Sequence, residues 1–173
     1  MRQAQKEITV ATSGQGLYEI GAAAHAFTRE SGIGIGQLTA FCRHTSASLV
    51  IQENADPDVQ RDLVAFFRRL VPDGDPLFVH TMEGPDDMPA HVKSALTQTS
   101  LTIPIHNGNL VLGTWQGLYL FEHRRQPHQR KIVLHVLGAE PTLKSLTIAF
   151  AFRQEIITWR RTRKRATIAA WAR

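Results

Sequence analysis

Twelve residues, His80 to His91 (HTMEGPDDMPAH), constrain this chain more than any other stretch. Pro85 and Pro89 oppose a continuous helix through them, because a proline lacks its N–H and disfavours helical backbone in the residue before it. The stretch therefore reads as a polar loop leading into a helix. Proline is tolerated in a first turn, so the helix is expected to begin near Pro89 and to run through AHVKSALTQT. On such a helix His91, Ala95 and Gln98 share one side, and His91 faces back towards the loop. The partial positive charge of a helix N-terminus disfavours protonation of an imidazole there, leaving it able to ligate a metal or take a proton. The segment thus gathers His80, His91 and the carboxylates of Glu83, Asp86 and Asp87. Helix capping alone would need one or two side chains of this kind.

Cysteine usage narrows the chemistry further. Cys42 is the only cysteine among 173 residues, which excludes intrachain disulfides and a cysteine-rich zinc site. Within the apolar run LTAFC it reads as a buried strand residue rather than a nucleophile. A chain of this length fits one domain with a sizeable core. No run approaches the roughly 20 apolar residues of a membrane span. The start, MRQAQKEITV, lacks the order of a signal peptide, so no membrane association and a cytoplasmic location are expected. The net charge is +5 and very unevenly placed. Residues 141–173 hold eight basic side chains against Glu155 alone, leaving residues 1–140 slightly acidic. Any nucleic-acid affinity would belong to the tail, and a run such as WRRTRKR is ordinarily a solvated face.

Read in order, KEITVAT alternates as a first strand, SGQG turns into LYEI, and EIGAAAHAFTRES places Ile20, Ala23, Ala24 and Phe27 at helical spacing. His25 on that helix reads as a surface residue. GQLTAFCRHTSASLVIQEN is a long strand or a strand pair, with Phe41, Leu49, Val50 and Ile51 as its apolar bulk. On a continuous strand His44, Ser46 and Ser48 would line one face, suited to anion contacts or simply to solvent. Asn54 or Asp56 then caps an amphipathic helix with Pro57 at its first position and Val59, Leu63, Phe66, Phe67 and Leu70 on one stripe. LFVH is expected to be a short strand delivering His80. Asn107-Gly108 between apolar runs signals a hairpin. Gly113 and Gly117 within the next strand suggest a bulge or a close backbone approach. RKIVLHVLG is the last strand of the body. The pattern is α+β, a compact single domain with mostly antiparallel strands and two or three helices. Residues 1–140 form that domain. The basic extension 141–173 changes character at Pro141, and its LTIAFAF segment fits a strand while Ile148, Phe152, Ile156 and Trp159 also fit a helical stripe.

Three motifs stand in sequence: HTSASLVIQENADPDVQRDL, HTMEGPDDMPAHVKSAL and IPIHNGNLVLGTWQGLYLFEHRRQPHQR. Together they resemble the YjbQ family, known also as secondary thiamine-phosphate synthase, over residues 3–139. The matching positions are His44, Thr45, Ser46, Glu53 and Asn54, then His80, Glu83, Asp87, His91 and Lys93, then Gly113 to Gln116 and Glu122 to Arg124. The resemblance implies a β-sandwich-like core and a homotrimer with polar pockets near subunit boundaries. It also implies a transferase joining a pyrimidine methyl diphosphate to a thiazole phosphate with release of pyrophosphate. That chemistry calls for a cation on the diphosphate and donors for the other phosphate. The metal, zinc or magnesium, is assigned to His44, His80, His91 and Asp87. The catalytic set is His44, Glu83, His91 and His123. Substrate contacts fall to Ser46, Lys93, Trp115, Gln116 and Arg124, although a strand tryptophan also suits a core.

The same residues would serve a non-enzymatic metal or small-anion binding protein, or a metal-dependent hydrolase of a phosphorylated metabolite with Glu83 as general base. A Ser46 triad lacks a nucleophile-elbow context. Deleting residues 141–173 tests the tail: if it binds nucleic acid, retention on heparin should fall, whereas unchanged retention removes that role.

Overall fold

The computed structural model describes residues 1–140; the expectations for residues 141–173, from the LTIAFAF segment to the basic run, lie outside the described residues. The elements are β1 (Arg2–Thr12), β2 (Gly16–Glu19), α1 (Gly21–Glu30), β3 (Ile35–Cys42), β4 (Ala47–Glu53), α2 (Pro57–Leu70), α3 (Asp87–Leu96), β5 (Ser100–His106), β6 (Asn109–Leu110), β7 (Gln116–Glu122) and β8 (His128–Ala139). All of the strand pairings are antiparallel, in a five-stranded sheet β1-β8-β3-β5-β6 and a three-stranded sheet β2-β7-β4. The architecture is α+β, the sheets curling into a half-barrel.

Strand alternation builds the core. Leu38 and Ala40 of β3 and Leu134 and Val136 of β8 point inward, and Leu49 of β4 with Leu118 and Leu120 of β7 belong to the same buried cluster. Each such leucine or valine contributes roughly 1.5–3 kcal/mol by leaving water. Cys42 is buried among them, as its apolar run implies. Ile20, Ala24 and Phe27 dock α1 on this core, while Ala23, one position off that stripe, is exposed. β7 is covered on its other face as well, where Phe67 of α2 packs edge-on against Phe121 at 5.3 Å.

Local signals set the remaining boundaries. Asp56 Oδ1 accepts from the Asp58 N–H at 2.8 Å, and Pro57 opens α2. The stripe of α2 is only half covered, with Phe66 and Leu70 left exposed. Asn107 (φ 51°) and Gly108 (φ 73°) make the positive-φ turn between β5 and β6. Gly117 meets the ring of Tyr119, which a Cβ would approach to 2.6 Å, so the close neighbour comes from its own strand. Gly113 precedes β7, in a turn where its N–H donates to Gln116 Oε1 at 2.8 Å.

Three expectations differ from the structure. Residues 77–80 form no strand; the chain from Val71 to Asp86 passes through turns between Pro72 and Pro85, and no strand pairing involves it among the described residues. α3 starts at Asp87, two residues before Pro89, because the Asp86 carbonyl already accepts from the Ala90 N–H at 3.0 Å. It ends at Leu96, and Gln98 instead bridges Leu49. The segment 35–53 is a strand pair whose members belong to different sheets, and the break at Arg43–Ser46 takes His44 and Ser46 off the face that Ser48 occupies.

Gly36 of β3 lies opposite Gly138 of β8, and a Cβ on Gly36 would sit 2.2 Å from the Leu137 carbonyl oxygen and 2.7 Å from Gly138 Cα. Backbone cannot swing aside as a side chain can. Gly36→Ala should therefore destabilise the fold by about 1–3 kcal/mol, read as a lower urea midpoint at unchanged slope.

Candidate functional site

Two imidazoles and a carboxylate converge where the loop 71–86 enters α3. His80 Nε2 donates to Asp87 Oδ2 at 2.8 Å, and His91 Nε2 lies 3.5 Å from the same oxygen. One ligand-type atom from each of His80, Asp87 and His91 falls within 4.8 Å of the other two. Asp87 and His91 are one helical turn apart, so α3 itself sets their spacing. His91 Nδ1 donates to the Thr45 carbonyl at 3.0 Å, an acceptor that requires a proton on Nδ1 and leaves a lone pair on Nε2. The Thr45 carbonyl thus orients the ring from a separate part of the chain. His80 is exposed and His91 half-buried, so the group is open to solvent on one side. A donor set of two nitrogens and one carboxylate with an open side suits a divalent transition metal.

Arg124 clamps the acidic side. Its Nη1 donates to Asp87 Oδ1, Nε to Asp86 Oδ2 at 3.1 Å and Nη2 to the Glu83 carbonyl at 2.8 Å. Asp87 is 2% exposed and Asp86 7%. Burial would raise the Asp86 carboxyl, but the Arg125 N–H and the Arg124 guanidinium outweigh it and hold the group below its ordinary range. Arg124 is in turn fixed through Glu122, whose Oε1 accepts from the Arg124 N–H at 2.9 Å. Glu122 is wholly buried; Arg130 donates to both of its oxygens, at 2.6 and 2.5 Å, and Thr12 donates to one at 2.9 Å. Burial raises its carboxyl, yet these donors keep it depressed and ionised.

Behind α3 lies a second polar group. Lys93, 2% exposed, stands 3.7 Å from Asp73 Oδ1, and Asp73 Oδ2 takes Arg125 Nη2 at 2.6 Å. Burial pushes the Lys93 ammonium down, Asp73 partly restoring it. His123 Nε2 is 2.9 Å from Ser48 Oγ, and its ring packs on Phe121 with centroids 4.4 Å apart.

The structure brings His80, Asp87, His91, Glu83 and Arg124 together. Glu83 is exposed, its carboxylate 3.9 Å from Arg124 Nη1. His44 is placed elsewhere, its Nε2 accepting from the Lys131 N–H at 2.7 Å, outside the group of three. Burial pushes its ring down in pKa, with the Arg130 charge adding to that. Ser46 is buried and presents its carbonyl to Arg130 at 3.5 Å. Trp115 and Gln116 sit at the start of β7, the end remote from Arg124. Trp115 is 65% exposed, not core. Asn54 holds their turn, its side chain donating to the Thr114 and Gln116 carbonyls at 3.3 and 3.4 Å. Asp73 and Arg130 carry parts of the arrangement that sequence reasoning did not name, and Asp86, gathered with the cluster there, was given no role. The available signal was Glu122-His123-Arg124, three polar residues closing an otherwise apolar run.

His123 gives a pH dependence of defined sign. Burial, then the nearby Lys93 charge, lowers its pKa from 6.5 to about 3. Between those values the unfolded chain holds a proton that the folded chain rejects, so the stability is complete above pH 6.5 and lost as pH falls towards 3. The full loss is on the order of 5 kcal/mol at about 1.4 kcal/mol per unit. His44 adds to the same slope, while Asp86 and Glu122 act only nearer pH 4 and below. In His123→Gln, the dependence of unfolding free energy on pH between about 6.5 and 5 should flatten; a slope equal to the parent's would show that the buried ring accepts a proton.

The sequence profile described as UPF0047 protein YjbQ-like matches residues 6–139. A UPF0047 protein of Synechocystis sp. is 54% identical over 137 residues, covering 79% of this chain and 93% of its own length. The UPF0047 protein YjbQ of Escherichia coli O157:H7 is 46% identical over 106 residues, 61% of this chain and 76% of that one. A crystal structure of an uncharacterized conserved protein of the yjbq/upf0047 family from Clostridium acetobutylicum superposes with a TM-score of 0.71 at 36% identity, covering 76% of this chain and 99% of the other. With that profile spanning most of the chain and relatives this similar, the chain belongs to the YjbQ-like UPF0047 family.

Proposed function

We propose that this chain is a metal-assisted transferase of phosphorylated metabolites, of the thiamine-phosphate synthase type. It would join a pyrimidine methyl diphosphate to a thiazole phosphate and release pyrophosphate. The observation that carries the reading is the His80, Asp87 and His91 group, with ligand-type atoms within 4.8 Å. A divalent ion, zinc rather than magnesium by the two imidazole nitrogens of the set, would supply there the positive charge that a departing diphosphate requires.

The chain's own residues do the rest. Thr45 keeps the His91 Nε2 lone pair directed at the site. Arg124 fixes Asp87 Oδ1 and so leaves Oδ2 to the imidazoles; engaged by Asp86, Asp87 and the Glu83 carbonyl, it acts as a positioning residue. Glu83, exposed beside the group with its carboxylate 3.9 Å from Arg124 Nη1, would take a proton. That placement also supports the second reading, a hydrolase of a phosphorylated metabolite with Glu83 as general base. A homotrimer belongs to the same proposal: Val79 and Met82, on either side of His80 in sequence, are 96% and 94% exposed, as side chains awaiting a neighbouring subunit would be.

The test is metal content by elemental mass spectrometry on untagged protein, followed by a pyrophosphate assay. The parent should carry near one divalent metal per chain, His80→Ala and His91→Ala should lose it, and pyrophosphate should appear only with both substrates. A parent that stays metal-free after incubation with zinc or magnesium sinks the metal-assisted reading. Phosphate released from a single substrate would replace the transferase with the hydrolase.

A further inference from the structure

Beside His80, the loop 71–86 and the first turn of α3 enclose a pocket of about 310 Å³. Pro76, Phe78, Pro85, Met88 and Pro89 form its apolar walls, and His80 belongs to its lining. We propose that this pocket is a subsite for an uncharged, ring-sized apolar group of the substrate, with Phe78 and Met88 as the residues that select it. The proposal rests on the phosphorylated-metabolite reading above and adds which side chains meet the organic part of that metabolite.

Four observations carry this. The pocket is continuous with the candidate centre, since His80 lines it while donating through Nε2 to Asp87 Oδ2 at 2.8 Å. One imidazole therefore separates a group in the pocket from the ligand-type atoms. Next, the loop has apolar side chains that could fill the space and leaves them outside it: Leu77, Val79 and Met82 are 78%, 96% and 94% exposed. The walls are also held apart. The Gly74 N–H donates to the Pro85 carbonyl at 2.9 Å, the Phe78 N–H to the Asp75 carbonyl at 3.1 Å and the Leu77 N–H to Asp75 Oδ1 at 2.9 Å. Three prolines of fixed φ stiffen the same enclosure. The last observation is chemical. Proline, phenylalanine and methionine side chains offer no hydrogen bond to replace lost water, but a ring and a thioether pack well on another ring. Asp75, the one carboxylate in the lining, repels an anion, so a phosphate joined to the ring is directed to the His80 side. The volume lies at the small end of ligand pockets, roughly 300–1,000 Å³, which suits one ring. Trp115, assigned to ring stacking by family resemblance, adjoins the far start of β7 and has no part in this pocket.

The test reads the pocket directly, through isotope-labelled methionine methyls in the full-length protein. Met88 reports from the wall, whereas Met1 and Met82, 99% and 94% exposed, lie outside it. In metal-stripped protein, benzyl alcohol should shift the Met88 methyl alone, to saturation. In zinc-loaded protein, benzyl phosphate should bind about tenfold or more tighter than glycerol phosphate, the equivalent of burying one apolar group. Phe78→Ser should weaken the alcohol and remove the preference between esters while leaving glycerol phosphate unchanged. Leu77→Ser, on the same loop but outside the pocket, should alter neither. A Met88 methyl that ignores benzyl alcohol overturns the proposal, as does equal affinity of the parent for the two esters. Equal effects of Leu77→Ser and Phe78→Ser overturn it too, by reducing the result to loop disruption. Met88 answering the alcohol while neither ester binds zinc-loaded protein upholds the pocket and instead removes the metal-and-phosphate reading, so the two failures are distinct.

Discussion

The buried pair of Glu122 and Arg130 is the interaction on which the functional end of the molecule depends. Glu122 closes β7 in the three-stranded sheet, while Arg130 and Thr12 belong to β8 and β1 of the five-stranded one, so a single carboxylate fastens the two sheets together. Taking such charges out of water is unfavourable unless every oxygen finds a donor, and here four hydrogen bonds supply them. One of the four comes from the Arg124 backbone. The same carboxylate that joins the sheets therefore sets where the next side chain leaves the strand, and Arg124 carries that position outward to Asp86, Asp87 and the Glu83 carbonyl.

Two of the three ligand-type side chains of the candidate centre are thus held by something remote in sequence. Asp87 is fixed by Arg124, and His91 by the carbonyl of Thr45 between β3 and β4. His80, exposed on the loop, has Asp87 as its one hydrogen-bonding side-chain partner among the described residues. Rigid backing with one free member is the arrangement expected where a bound group must enter and leave. On its other face α3 turns Lys93 inward towards Asp73, so this one short helix serves two polar environments, an acid-and-imidazole group and a buried ammonium–carboxylate pair.

What could be read from the sequence was what depends on neighbours. The Asn107-Gly108 turn and the Asp56-Pro57 start of α2 each need a few adjacent residues, and both stand where those residues put them. The pairing of His80 with His91 was legible because one segment carries both. What was not legible depends on partners far along the chain. His44 sits in a motif, yet its ring accepts from the Lys131 N–H, a contact 87 residues away that alternation along a strand could not reveal. Arg124 has the chemistry of a phosphate ligand, but its donors are taken by two carboxylates and a carbonyl about 40 residues upstream. LFVH has strand composition, yet it pairs with no strand among the described residues.

The close spacing of the donors has a thermodynamic side. His80, Asp87 and His91 lie within twelve residues, so an unfolded chain would keep them near one another and would retain part of the affinity for a cation proposed to bind there. Occupancy would then stabilise the native state by less than the native affinity alone implies, because part of the binding would survive unfolding. The fold contributes the difference, through a proton parked on His91 Nδ1 and an arginine holding Asp87, rather than by assembling the donors in the first place.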